Sequence, residues 1–417
     1  MPNKKWHVAL TLTVAALLTT ACGSSSPSSS STTPPTTSAP VTSSAATGTP
    51  ASNSDSSPAP SSGASNPAPA ATKSVDMSSL SFAYASAGDS VGIFKTVGDG
   101  VVDYGTQLGI AVKRYDNNLD GPTALNNAQL IVQSKPDVAI DWNTVVGVGA
   151  AVGQQYTRGN VPCLAVNQQI EGCAWFNLTN KGLGVDAAAV IVPEAQKRGW
   201  TGANTTVVMV IAAANGTEVN DGPRYFYVET ANALPGFEKV TPEQITASTT
   251  TIGGTNAIQI DCKSTLDGAF AAMQNAIGTI PKTNNVLLFG SDDDCNLGAY
   301  RSLKQGGFGD RILTGGLGAT PEGLTALRTD PNWLSEGALF IQQWGPYILS
   351  EAVAISQGVT PPELTSAPQI TLTKETVSEY YGDDNSVKLL PPLVENNKYL
   401  ADYGILQKFV KVSGLNA

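Results

Sequence analysis

From Leu80 onward the chain alternates short apolar runs with longer amphipathic stretches. Runs that are apolar on both faces, each followed by a segment of helical spacing, are typical of parallel strands joined by helices. The predicted strands are LSFAYAS (80–86), IAVKRYD (110–116), DVAIDW (137–142), VPCLAV (161–166), TTVVMVI (205–211), NVLLFGS (285–291), ILTGG (312–316) and ALFIQQW (338–344). The predicted helices fall within 97–109, 123–135, 184–199, 265–278 and 297–307.

This alternation predicts an α/β fold built from βαβ units. The chain has more predicted strands than one open parallel sheet of ordinary size needs. We therefore predict two lobes, each with its own parallel sheet. Ligands bind such sheets beyond the carboxyl ends of the strands, so the residues that follow each strand are the first candidates for a site.

The predicted strand ends are rich in polar and aromatic residues. One polar strand end is usually a helix cap or a turn, because Asn and Asp initiate both. Seven in succession favour a cleft, since planar amides, carboxylates and aromatic rings are suited to holding a sugar or polyol. The seven ends are 86–90, 116–118, 141–143, 167–169, 215–221, 291–294 and 342–344.

The first 77 residues have a different composition. Lys4 and Lys5 precede an apolar run that is too short to span a bilayer, so residues 1–21 are predicted to be a cleaved export signal. A cysteine directly after the cleavage site resembles the bacterial lipobox, which predicts lipidation of Cys22; Thr19 departs from the usual Leu. The alternative is an ordinary secretory signal. Residues 22–77 are dominated by Ser, Thr, Pro and Ala and are predicted to be a disordered tether.

Composition excludes several classes of function. His7 is the one histidine and lies in the signal, which excludes a Ser-His-Asp triad and a histidine metal site from the exported part. The exported part has an excess of about 12 acidic residues, so we expect no nucleic acid partner. We predict no enzyme activity, no cofactor and no metal; a carboxylate-only hydrolase using Asp292 or Glu218 is the remaining enzymatic alternative.

Four longer segments carry a family resemblance. They are 141–167 (DWNTVVGVGAAVGQQYTRGNVPCLAVN), 290–307 (GSDDDCNLGAYRSLKQGG), 314–323 (TGGLGATPEG) and 370–382 (ITLTKETVSEYYG). In this order and spacing, residues from about 79 to 381 resemble the type I periplasmic binding proteins, specifically the ribose, galactose and xylose group of ABC-transporter solute-binding proteins. The resemblance implies two Rossmann-like lobes with parallel sheets, joined by a three-strand hinge.

The resemblance also implies domain limits and a function. It assigns 78–180 with 343–367 to the N-terminal lobe, 181–342 with 368–381 to the C-terminal lobe, and 382–417 to a C-terminal extension. It implies a monomeric, membrane-anchored extracytoplasmic protein that captures a small sugar-like solute by hinge closure and delivers it to an ABC permease. The alternative is a lipoprotein that senses a polyol or an aromatic molecule and signals to a membrane receptor.

Carried onto this sequence residue by residue, the family pattern implies a set of ligand-binding positions. Two positions depart from the pattern: Gly318 stands where the family usually has a sugar-binding Asp, and Gln168 stands where an Arg is usual. A larger or less polar ligand therefore stays open. The implied ligand-binding residues are Asp89, Ser90, Phe94, Asp141, Trp142, Asn143, Asn167, Gln168, Asn220, Asp221, Asp292, Gln343 and Trp344.

Four cysteines follow Cys22 in the sequence. An even number in an exported chain favours disulfides, and three pairings are possible. Within the two lobes that the resemblance implies, we expect Cys163–Cys173 and Cys262–Cys295, because each pair then lies within one lobe.

Overall fold

The computed structural model describes residues 72–145 and 147–415. The predicted signal 1–21, Cys22 and most of the predicted tether lie outside the described residues. The strands are β1 (Ser81–Ser86), β2 (Ala111–Asp116), β3 (Val138–Asp141), β4 (Cys163–Val166), β5 (Ala174–Asn177), β6 (Thr205–Ile211), β7 (Thr251–Ile252), β8 (Ala257–Asp261), β9 (Asn285–Gly290), β10 (Ile312–Gly318), β11 (Trp333–Ala338), β12 (Thr365–Ser366) and β13 (Ile370–Leu372). The helices are α1 (Gly92–Leu108), α2 (Gly121–Ser134), α3 (Gly149–Gly159), α4 (Asn180–Lys197), α5 (Gly216–Val219), α6 (Asp221–Ala233), α7 (Leu266–Ala276), α8 (Asp293–Gln305), α9 (Pro321–Thr329), α10 (Trp344–Ser356), α11 (Val377–Tyr380) and α12 (Ile405–Phe409).

The strands form two separate sheets. The first has the order β12-β5-β4-β3-β1-β2 and is parallel throughout. The second has the order β13-β11-β10-β9-β6-β8-β7 and is parallel except at its two antiparallel edges. Fully buried strands such as β3, β4 and β6 lie at the centre of these sheets. The α/β class with two parallel sheets, predicted from the apolar runs, is confirmed.

Three chain segments cross between the two sheets. They lie between β5 and α4, between β11 and α10, and between β12 and β13. Helix α4 belongs to the second lobe, because it packs on β10 and β11. Two of them are bonded to each other, since the backbone N–H of Thr179 donates to Gln369 Oε1 at 2.7 Å. This is the three-strand connection expected of a hinge; the precise limits of the lobes stay a prediction.

One predicted strand, ALFIQQW (338–344), is wrong. Phe340 has a left-handed backbone (φ 47°), which ends the extended run, and Trp344 begins α10. The strand that pairs with β10 is instead β11, WLSEGA, whose Ser335 and Glu336 are fully buried. Buried polar side chains hid this strand from a search for apolar runs.

The C-terminal extension packs against the first-sheet layer. The ring of Phe409 lies 4.8 Å from that of Tyr104 in α1, and Asn397 Nδ2 donates to the backbone oxygen of Ser366 at 2.7 Å. Lys73, which we assigned to the tether, pairs with Asp402 at 2.6 Å. The point where the tether joins the fold is therefore held by the extension. Within the described residues, no helix has both the length and the apolarity needed to cross a membrane.

Both expected disulfides are present. Cys163 is bonded to Cys173, and Cys262 is bonded to Cys295. The first joins the start of β4 to the residue preceding β5, and the second joins the end of β8 to the first turn of α8.

We expect replacement of both Cys163 and Cys173 by Ser to lower the free energy of unfolding by about 3 kcal/mol. The bridge closes a loop of 10 residues, and opening it restores that loop's entropy to the unfolded chain. Urea unfolding of the double variant measures the loss, with Cys22→Ser, which leaves both bridges intact, as the control. An unchanged midpoint and slope would show that the bridge does not stabilise the fold.

Candidate ligand-binding site

The strand order brings several predicted site residues to the same edge of a sheet. In the first sheet β1, β3 and β4 are neighbours and run in parallel, so their carboxyl ends meet. In the second sheet β6, β9 and β10 are neighbours in the same way. Ligands of open parallel sheets bind at such edges.

Aromatic rings form the floor of the first-sheet edge. Trp142 stacks on Trp344 with ring centroids 5.8 Å apart, and Phe94 meets Trp142 edge-on at 4.8 Å. Trp142 and Trp344 are 2% and 1% exposed, while Phe94 is half-buried. The structure therefore groups three of the predicted residues, of which Phe94 offers the accessible ring surface.

Three buried polar atoms at this edge have no hydrogen-bond partner among the described residues. They are Ser86 Oγ at the end of β1, and Trp142 Nε1 and Asn143 Nδ2 directly after β3. The Asn143 amide is held in one orientation, because its Oδ1 accepts from the backbone N–H of Val145 at 2.9 Å. A buried polar group without a partner costs about 1–3 kcal/mol. Such groups are expected where a ligand supplies the missing partners.

Two predicted acidic residues of this edge are already engaged. Asp141 is buried and accepts hydrogen bonds from Tyr156 Oη at 2.6 Å and from Asn117 Nδ2 at 3.3 Å. Burial raises the pKa of Asp141 to about 6, against the lowering effect of these two bonds. Asp89 forms an ion pair with Arg114. Asp141 is thus held by residues of the protein at the end of β3, and the negative charge of Asp89 is neutralised by Arg114.

A chain of hydrogen bonds connects the first-sheet edge to the second. Asn167, which has a left-handed backbone (φ 66°), donates from Nδ2 to Asn177 Oδ1 at 3.1 Å. Asn177 in turn donates to Glu218, which lies in α5 directly after β6 and its short 3₁₀ turn. Burial raises the pKa of Glu218 to about 7, with a further contribution from the charge of Asp221. Glu218 was not among the predicted ligand-binding residues; the polar segment 215–221 was its signal in the sequence.

The predicted residues of the second sheet have local partners. Asn220 Oδ1 accepts from the backbone N–H of Ala212 at 2.8 Å and its Nδ2 donates to the same residue's oxygen at 2.9 Å, which closes its own loop. Asp221 accepts from Arg224 at 2.5 Å. Asp292 Oδ1 accepts from the backbone N–H of Cys295 at 2.8 Å, as the N-cap of α8. Roles for these three in ligand binding stay predictions.

The other predicted side chains are at least partly accessible to solvent. Ser90 is exposed, and Gln168 and Gln343 are intermediate. None of the three makes a side-chain hydrogen bond within the described part of the chain. They are free to turn towards a ligand.

A groove of about 840 Å³ lies away from both edges, on the helices α7, α8 and α9. Phe270, Tyr300, Arg301 and Glu322 are among its lining residues, and none of the predicted ligand-binding residues contributes to it. This groove is the alternative location for a ligand-binding site.

No protein-family model and no curated protein matches this chain. Solved structures do match it at probability 1.00. One is a Mycobacterium smegmatis protein in complex with β-D-fucofuranose (17% identity, 72% of this chain and 93% of that chain covered, TM-score 0.55). Another is an ABC transporter solute-binding protein from Bacillus halodurans C-125 with bound myo-inositol (14%, 72% and 96%, TM-score 0.56).

A third matching structure is an ABC transporter periplasmic solute-binding protein from Actinobacillus succinogenes 130z with bound D-allose (12% identity, 72% of this chain and 100% of that chain covered, TM-score 0.56). At these identities the likeness shows the fold. The fold implied by the family resemblance is therefore confirmed: the chain has the two-lobed fold of the periplasmic solute-binding proteins.

Proposed function

We propose that this chain is the substrate-binding component of an ABC importer and captures a neutral sugar or polyol between its two lobes. The observation that carries the proposal is the set of buried, unpartnered groups of Ser86, Trp142 and Asn143 at adjacent strand ends. Glu218 reaches the same region from the second-sheet side through Asn177. Hydroxyl groups both donate and accept, so a polyhydroxylated ligand satisfies the unpartnered groups and the carboxylate together.

The charges of the site favour a neutral ligand over an anion. Arg114 is paired with Asp89 and with Asp99, the latter at 2.6 Å. Arg224 is paired with Asp221 and also donates to the backbone oxygen of Pro242 at 3.0 Å. An anionic solute would have to break one of these pairs. The fold neighbours with bound D-allose and myo-inositol hold neutral, polyhydroxylated ligands, which supports the same choice.

Capture would follow from hinge motion at the three crossovers. A solute that contacts the edges of both sheets stabilises the closed arrangement relative to the open one. The closed protein would then dock on a membrane permease driven by a separate ATPase. We further propose that residues 1–21 direct export, that a lipid on Cys22 anchors the monomer to the extracytoplasmic face of the membrane, and that the tether gives it reach.

A thermal-stability screen of residues 23–417 tests the proposed function. The panel comprises D-allose, L-arabinose, D-galactose, myo-inositol and allitol, with nucleosides and small aromatic compounds beside them. A ligand at about 100 times its dissociation constant adds about 2.7 kcal/mol to the stability, so we expect a raised melting temperature with a sugar or polyol. If no sugar or polyol raises the melting temperature, even after the protein has been unfolded and refolded to release bound solute, the proposal is contradicted.

We expect Asn143→Ala to weaken sugar binding by about 1–3 kcal/mol and to lower the stability of the unliganded protein by only about 1 kcal/mol or less. The side-chain Nδ2 of Asn143 has no partner among the described residues of the unliganded protein, so the substitution costs one intramolecular bond there, the one that Oδ1 accepts from the backbone N–H of Val145. Calorimetric titration and urea unfolding measure the two effects. Asn396→Ala is the matched control, because Asn396 is exposed and lies in the C-terminal extension. Equal affinities of wild type and Asn143→Ala would remove this residue from the site.

A further inference from the structure

A pair of buried carboxyl groups lies beneath the second-sheet edge. Asp293 is in the first turn of α8 and Glu336 is in β11, and they are 1% and 0% exposed. The two carboxyl groups border the same small space, since a Cβ atom at Gly316 would lie 2.0 Å from Glu336 Oε2 and 2.5 Å from Asp293 Oδ1. Neither forms an ion pair with a Lys or Arg within the described residues.

The pair binds the loop 317–320 from below. Asp293 accepts from the backbone N–H groups of Leu317 and Thr320 and from Thr320 Oγ1, each at 2.8 Å. Glu336 Oε1 accepts from the backbone N–H of Ala319 at 2.9 Å. Three of the four backbone N–H groups of the loop, those of Leu317, Ala319 and Thr320, therefore donate to these two carboxyl groups. Trp333 Nε1 donates to Glu336 Oε2 at 3.0 Å and holds the second side chain in place.

This loop forms the carboxyl end of β10, between the ends of β9 and β11. Its backbone is unusual, with φ values of 146° at Gly318 and 54° at Ala319. A Cβ atom at Gly318 would lie 3.0 Å from Asp293 Oδ2. The space into which a side chain at 318 would project is thus bordered by Asp293, and the loop offers backbone where the related proteins usually offer an Asp side chain.

The surroundings of the pair favour one shared proton. Burial raises the pKa of both carboxyl groups, and the charge of Asp293 raises that of Glu336 further. Two ionised carboxylates in contact repel each other, so one stays protonated. Asp292 and Tyr381 also act electrostatically on the pair, and neither is a cation. Burial and the charge of the neighbouring carboxylate act in the same direction, so the pair retains a proton to higher pH than an exposed carboxyl group does.

We propose that Asp293 and Glu336, sharing one proton, are positioning residues that hold the loop 317–320 in the shape it presents to the bound solute. The proposal rests on the proposed function, since it assumes that the solute lies at this edge. Loss of the shared proton at alkaline pH sets two negative charges against each other and releases the loop. Solute affinity then falls with rising pH through the loop's conformation, without a titrating group touching the solute.

Hydrogen exchange of the amides of Leu317, Ala319 and Thr320 between pH 6 and pH 9 tests the positioning role. After correction for intrinsic exchange rates, we expect wild type to lose protection at these amides by about tenfold or more as the pair ionises. Glu336→Gln cannot titrate and keeps an acceptor for Ala319, although its amide nitrogen cannot accept from Trp333 Nε1. Its protection should therefore stay constant with pH, whatever its level at pH 6. Asp293→Asn replaces one acceptor oxygen by a donor, so its loop should be weakly protected at every pH.

Glu351→Gln is the matched control, because Glu351 is another buried carboxyl but lies in α10. It should leave the exchange of the loop as in wild type at each pH. An Asp293→Asn loop as well protected as that of wild type, or a Glu336→Gln loop with the same alkaline loss as wild type, overturns the proposal. The Glu336→Gln comparison alone decides the matter if Asp293→Asn fails to fold.

Binding supplies the second arm of the test. Thermal shifts are measured with D-allose, L-arabinose and myo-inositol at about 10 mM each, at both ends of the pH range. We expect Glu336→Gln to keep at pH 9 the shift that wild type shows at pH 6, and wild type to lose it. If wild type gives no shift at any pH, the proposed function fails, whereas the exchange data still decide how the loop is held. The two failures are therefore distinguishable.

Discussion

We expect the free energy of unfolding to fall by several kcal/mol as the pH rises from 5 to 8. Asp141 and Glu351 are both buried, and burial raises the pKa of Asp141 to about 6 and that of Glu351 to about 7. A carboxyl group whose pKa is higher in the folded protein stabilises it fully below the unfolded pKa, and this stabilisation is lost as the pH rises through the folded pKa. At 1.36 kcal/mol for each unit of pKa shift, each group accounts for about 3 kcal/mol.

Glu351→Gln separates one of the two contributions. Glu351 Oε1 accepts from Thr365 Oγ1 at 2.8 Å, and its Oε2 has no partner among the described residues, so the amide keeps the one bond and removes the charge. Urea unfolding at pH 5, 6, 7 and 8 should show a loss of stability smaller than that of wild type by about 2–3 kcal/mol, the remainder belonging to Asp141 and to Glu218, whose pKa burial also raises to about 7. The control is Glu395→Gln, since Glu395 is exposed and forms a surface ion pair with Lys398. A stability that increases towards pH 8 would reverse the sign and disprove this account.

We expect Trp344→Ala to lower the free energy of unfolding by about 3–5 kcal/mol. Trp344 begins α10, is 1% exposed and packs between Trp142 and Phe176, whose ring lies 5.4 Å away and edge-on. Its Nε1 also donates to the backbone oxygen of Leu339 at 2.8 Å, within the crossover from the second sheet. The substitution therefore opens a cavity and leaves a crossover carbonyl without its donor.

The Trp344→Phe variant keeps a ring but loses the bond to Leu339, so it should be destabilised less than the alanine variant. A double-mutant cycle with Trp142→Phe measures the stacking of the two indoles, which we expect to contribute about 0.5–1.5 kcal/mol. Urea unfolding gives both quantities. A loss below about 1 kcal/mol for Trp344→Ala would mean that the site's aromatic floor is not packed as described.

The central strands of the first sheet could be predicted because they are buried on both faces. β1, β3 and β4 appear in the sequence as continuous apolar runs, and so do β6, β9 and β10 in the second sheet. β11 could not be found in this way, since Glu336 in its centre is buried and accepts from the backbone N–H of Ala319, which lies 17 residues earlier. A pattern of apolar positions does not reveal a polar residue that is satisfied by a distant partner.

Part of the candidate site could be predicted because its residues follow directly after strands that are visible in the sequence. The strand-end rule and the family resemblance together placed Phe94, Trp142 and Trp344 at one edge, and their rings are in contact there. The phase of α8 decides which of three adjacent carboxylates faces inwards, and it turns Asp293 into the core while Asp292 caps the helix. The contact of Glu218 with Asn177 depends on how the two sheets meet, which the local sequence does not encode.

A crystal structure of residues 23–417 with the panel sugar that gives the largest thermal shift tests the central claim most directly. We predict electron density for the sugar at the carboxyl ends of β1 and β3, with Trp142 Nε1 and Asn143 Nδ2 donating to its oxygens and the Glu218 carboxylate accepting from a hydroxyl. Density for the sugar in the groove on α7, α8 and α9, with these two donors still unpartnered, would contradict the account.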